Sequence, residues 1–105
     1  MPRLEQNGGP YEVRCSGVVA KALRRLQRQA SLEGRGDALI SAFREVVQRL
    51  THDPDEFGEA LYRLPALRTQ VRSAVIRPLV VHFAICEAQP VVFIKGVELL
   101  GRGTA

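Results

Sequence analysis

The sequence predicts an α+β fold with the order β-α-α-β-β-β: an antiparallel-dominated four-stranded sheet with an N-terminal helical hairpin packed on one face. Two observations carry that expectation. The first half has apolar residues at helical spacing, and the second half has two dense apolar runs, LVVHFAIC at 79–86 and VVFIKGV at 91–97, around the polar break Glu87-Ala88-Gln89. Val, Ile and Phe suit a pleated, buried surface, so these runs read as a β-hairpin at the centre of the sheet. A length of 105 residues fits one domain, placed at 11–100 between flexible tails at 1–10 and 101–105.

Each element follows from local pattern. Tyr11, Val13 and Cys15 alternate with Glu12 and Arg14, which makes a short half-buried strand. Ser16 is placed to cap a helix whose apolar stripe is Val19, Ala22, Leu23, Leu26 and Ala30. Lys21, Arg24, Arg25 and Arg28 form its wet side, or else a partner contact. Gly34 and Gly36 end it, and Asp37 is expected to cap a second helix with the stripe Leu39, Ile40, Phe43, Val46, Val47 and Leu50. The segment 56–67, with Phe57, Ala60, Leu61 and Leu64, suggests one or two helical turns closed by Pro65. Residues 68–76 alternate as a strand, and Arg77-Pro78 turns the chain into the hairpin, since the residue before proline avoids the helical region. The last three strands should be antiparallel, and the first could pair with the last across the helical hairpin.

Composition bounds the function. Hydrophobic content is 46% and charged content 25%, ordinary for a globular domain. No apolar run approaches a membrane span, and residues 1–10 hold no signal-peptide core, so the expectation is a cytoplasmic protein without membrane association. Cys15 and Cys86 are expected as buried free thiols, with a disulfide only if their strands are neighbours. With His52 and His82 they make no zinc pattern, and neither a metal nor a cofactor is implied. The formal charge is +4, and 13 of the 15 basic residues are Arg, a residue suited to phosphate and carboxylate contacts but also to a GC-biased genome.

Several of these features together resemble the RelE/ParE toxin superfamily. They are Tyr11-Glu12-Val13-Arg14 running straight into a basic helix; the helix end Arg49-Leu50-Thr51-His52-Asp53-Pro54; Leu64-Pro65 leading into Val71-Arg72-Ser73; and two apolar strands around Glu87-Ala88-Gln89-Pro90. The resemblance covers residues 11–100. It implies a growth-inhibiting toxin that blocks translation or another essential process, acts on ribosome-bound mRNA or on DNA gyrase, and is neutralised by an acidic antitoxin. Ribosome-dependent relatives activate a 2′-hydroxyl against the adjacent phosphate, which needs a proton acceptor, cations and a proton donor. Arg72 and Arg77 match the family's basic positions, and His82 on the open side of its strand could move a proton. After Val97, however, the chain reads Glu98-Leu99-Leu100-Gly101-Arg102, without the family's Gly-His-Arg-like segment and following Tyr. The balance therefore favours a binding role over an mRNA endonuclease, with a non-catalytic protein- or nucleic-acid-binding relative as the alternative.

Two surfaces complete the expectation. Arg63, Arg68, Arg72 and Arg77 follow one another without an intervening acid and, with Lys95, could bind a phosphate backbone; a solvated basic face is the plainer alternative. If Leu79, Val81, Phe83 and Ile85 face the helices, the opposite side carries Val80, Ala84, Cys86, Val92 and Ile94, apolar enough to mark a contact surface. An antitoxin helix, a second copy forming a homodimer, or the chain's own tail could cover it.

Overall fold

The computed structural model describes residues 10–101, so the tails expected at 1–10 and 101–105 lie outside it except for Pro10 and Gly101. The elements are β1 (Glu12–Cys15), α1 (Gly17–Leu32), α2 (Gly36–His52), a 3-10 turn at Pro54–Glu56, β2 (Glu59–Leu64), a second 3-10 turn at Pro65–Leu67, β3 (Thr69–Ile76), β4 (Leu79–Cys86) and β5 (Val91–Leu99). The sheet has five strands in the order β1-β5-β4-β3-β2. β1 runs parallel to β5, and the other three pairings are antiparallel. The α+β class and the antiparallel-dominated sheet match the expectation; the number of strands does not.

The additional strand is β2, where helical turns were expected. Phe57, Ala60, Leu61 and Leu64 fall at helical spacing, but after a turn at Gly58, where φ is +73°, the segment pairs with β3 from Glu59↔Ser73 to Leu64↔Thr69. β2 is exposed at all six positions, so it carries no one-sided alternation to betray it.

The helices form as their stripes require. The Ser16 hydroxyl oxygen accepts the Val19 N–H at 3.2 Å and caps α1. In α2 the N-cap position is Arg35, with no side-chain cap, and Asp37 lies in the first turn instead. A carboxylate there still favours the positive helix end. Arg35 donates to the Leu100 carbonyl at 3.1 Å and to Glu33, which ties the interhelical loop to the end of β5.

α1 packs on α2 and β5, while α2 packs on β1, β3 and β4. The core lies between this hairpin and one sheet face: Val19, Ala30, Leu39, Ala42, Val46 and Leu50 from the helices meet Ala74, Leu79, Val81, Phe83, Ile85, Val92 and Ile94 from the strands. Phe57 closes it from the side, stacked on Phe83 with ring centroids 5.8 Å apart and beneath the Arg49 guanidinium at 4.6 Å. No helix among the described residues is long and apolar enough to cross a membrane.

Gly58 is the tightest backbone position. A Cβ there would collide with the Ser73 carbonyl oxygen, and its φ is one that side chains rarely adopt. Gly58→Ala should destabilise the fold by about 2–4 kcal/mol, read as a lower urea midpoint with an unchanged slope.

Candidate functional site

The helices cover one sheet face, and strand register shows what stands on the other, where Val71 and Ala84 are nonetheless buried among their neighbours. Arg14 pairs with Phe93, Phe93 with Ala84, Ala84 with Val71, and Val71 with Tyr62. Directly paired residues share a face, so these five form one row across all five strands. Its two aromatics are well exposed, Phe93 at 40% and Tyr62 at 56%, with the Arg14 guanidinium 5.9 Å from the Phe93 ring centroid. Three strand spacings separate them, roughly 14 Å. Val75 and Leu64 add further exposed apolar surface on the same face.

This face differs from the expected one. Val80, Ala84 and Cys86 lie on it, but Val92 and Ile94 are buried in the helix-facing core. The cause is a β-bulge: His82 pairs with Gly96 and Phe83 with Ile94, so Lys95 is an extra residue that shifts the facing of β5. Phe93 comes to the open face instead. The bulge had a signal in Gly96, an isolated glycine inside a strand pattern. Tyr62 had none, since its segment reads as helical.

His82 does lie on the open face, with its Nε2 3.0 Å from Glu98 Oε2; the side chains are 35% and 65% exposed. His52 is exposed at the end of α2. Cys15 and Cys86 are free thiols, but Cys15 is exposed rather than buried, at the end of an edge strand. Their strands are not neighbours, since β5 lies between β1 and β4.

The expected basic stripe does not assemble. Arg63 meets Glu87 through two contacts of 2.6 Å, an acid remote in sequence that the fold brings opposite it. That bidentate hydrogen bond holds the Glu87 carboxyl below the usual range, with the charges of Arg63 and Arg68 adding to it. Arg72 donates to the Phe57 carbonyl at 3.0 Å, the Gly58 carbonyl at 3.1 Å and Gln70 Oε1 at 2.8 Å, so it clamps the turn before β2. Arg77 sits exposed at the β3–β4 turn, a strand length or roughly 25 Å from Arg68. Lys95 is exposed in the bulge.

Near Glu87 a cleft of about 630 Å³ is lined by Tyr11, Asp55, Gln70, Cys86 and Gln89 among others. Partial burial, and then the Asp55 charge, push the Tyr11 hydroxyl above its usual range. Among the described residues no three His, Cys, Asp or Glu side chains gather as a metal site. The chain matches no protein-family model, no curated protein and no solved structure.

Arg72→Ala strips its partners from two turn carbonyls and should cost about 1–3 kcal/mol in chemical denaturation. Arg63→Ala should return the Glu87 carboxyl upward toward the ordinary glutamate range, seen by NMR titration of its side-chain carbon. Because the folded value is depressed, the pair's contribution is present above the unfolded pKa of Glu87 and fades as pH falls through the folded one.

Proposed function

We propose that this chain is a RelE/ParE-like toxin-family protein that acts by binding its target through the open sheet face rather than by cleaving RNA. The observation that carries this reading is the row Arg14–Phe93–Ala84–Val71–Tyr62. It supplies two exposed aromatic side chains, Phe93 and Tyr62, on either side of the buried Ala84 and Val71, the kind of anchor that dominates protein interfaces. Glu12, Glu59 and Glu98 lie on the same face by register, so it has no cationic surplus of the kind a phosphate chain needs. A protein target suits it better, and gyrase-like machinery fits that description. An acidic antitoxin is the expected neutralising partner.

Arg72, matched by resemblance to a basic active-site position, is engaged with backbone carbonyls on the covered side. A second reading, ribosome-dependent cleavage, is favoured by one feature: the His82–Glu98 contact on the open face, which would orient the imidazole for proton transfer. Arg77 lies about 15 Å away along the strand, too far for it to neutralise a phosphate held at His82, so this reading lacks its cation.

The test is inducible expression in a bacterial host, scored by growth and by transcript integrity. Wild type should slow growth without cutting transcripts. Tyr62→Ala with Phe93→Ala should relieve the arrest, whereas His82→Ala should not. Relief by His82→Ala and Arg77→Ala, with cut transcripts in the wild type, would establish cleavage instead. Harmless wild-type expression would remove the toxin reading altogether.

A further inference from the structure

The positive charge of the chain is concentrated in one place. The sequence has 15 basic and 11 acidic residues, and α1 holds four of the basic ones and none of the acidic ones. The remaining 11 basic residues balance the 11 acidic ones, so the whole formal excess of +4 resides on this helix. Its bearers, Lys21, Arg24, Arg25 and Arg28, are all exposed. Among the described residues Arg14, Arg35, Arg49 and Arg63 each have a carboxylate partner; none of the four on α1 does, nor do Arg44, Arg68, Arg72, Arg77 and Lys95, which are spread over other elements.

Their spacing makes them neighbours. Positions 21, 24, 25 and 28 are three or four apart, which lines them into one ridge roughly 10 Å long. Like charges so placed destabilise an isolated helix, and α1 carries no acid of its own to offset them. α1 packs through Val19, Leu26 and Ala30, so the ridge lies on the outer side of the helical layer, away from the open sheet face.

We propose that this ridge docks on the phosphodiester backbone of a duplex nucleic acid. Three of its four cations are Arg, whose planar fork matches phosphate oxygens bidentately. α1 has no aromatic side chain on which an unpaired base could stack, which favours backbone contact over single-strand recognition. An acidic amphipathic helix would match the charge but finds no row of apolar pockets. The groove lined by Leu23, Gln27, Leu39, Ile40 and Phe43 holds only about 70 Å³, and the wider hollow of about 340 Å³ at Gln27, Arg28, Ser31 and Leu32 offers Leu32 as its one apolar lining residue. The surface is separate from the sheet face and does not depend on the toxin reading. It would hold the protein on structured RNA or on DNA while the sheet face remains free.

Fluorescence anisotropy tests this with short labelled RNA and DNA duplexes of mixed sequence, titrated across a range of salt. Wild type should bind at low salt, with a log–log slope of about −3 to −4 on DNA if all four cations neutralise phosphates. Lys21→Gln, Arg24→Gln, Arg25→Gln and Arg28→Gln combined should remove most of the slope and lower the affinity at least about 10-fold at low salt. The corresponding Arg→Lys variant should retain the slope, and circular dichroism should find all variants folded, because the positions are exposed. A preference for either duplex identifies the source of the phosphates. No duplex binding at low salt, or a slope unchanged in the Gln variant, would overturn the proposal. So would tighter binding of poly-glutamate than of either duplex at equal ionic strength, which would point to an acidic protein instead.

Discussion

The alternation of β4 is the constraint on which the rest of the molecule depends. Leu79, Val81, Phe83 and Ile85 all point to one side and are almost wholly buried. As a central strand with a partner on each side, β4 has no freedom to slip: a one-residue shift would put His82 into the core and Phe83 into water. Phe83 is the node. Phe57 stacks on it, Arg49 lies over Phe57, and Arg72 holds the carbonyls of Phe57 and Gly58. The turn leading to β2 is thus fixed by the same packing that seats the helices.

That constraint explains which elements are legible in the amino-acid sequence. The helices have one buried side each, and one-sided burial writes a period into sequence; β3 shows itself by alternation, and β4 and β5 as dense apolar runs. The pairing of β1 with β5 is open to the sequence, but its parallel sense comes only from the fold. β2 left no such trace. It is an edge strand exposed on both faces, and its apolar residues happen to fall at helical spacing. Lys95 misled in another way, since one inserted residue reverses the facing of every residue on its far side.

The candidate site was legible in kind but not in membership. An apolar open face follows from the run 79–86, because a central strand covered on one side must show its other side somewhere. Which residues stand there depends on pairing between strands distant in sequence, so Val92 and Ile94 gave way to Phe93 and Tyr62. The arginine run is interrupted for the same reason: Glu87 is far from Arg63 along the chain, and only the fold brings them together. Charge counted along the sequence located the basic ridge of α1 correctly, because a helix keeps near neighbours near.

The two sides of the molecule therefore have separate physical characters: a mixed apolar strip on the sheet and a cationic ridge on the helical layer. The openness of the sheet face is the claim on which the binding reading stands. It is tested most directly by fluorine NMR of fluorophenylalanine-labelled protein with a soluble paramagnetic chelate. The four phenylalanines differ sharply in exposure, Phe57 and Phe83 being buried and Phe93 standing on the open face. Strong relaxation enhancement at Phe93, with Phe57 and Phe83 protected, is the expected result. Protection of Phe93 equal to that of Phe83 would contradict the claim, because the face would then be covered in the free protein.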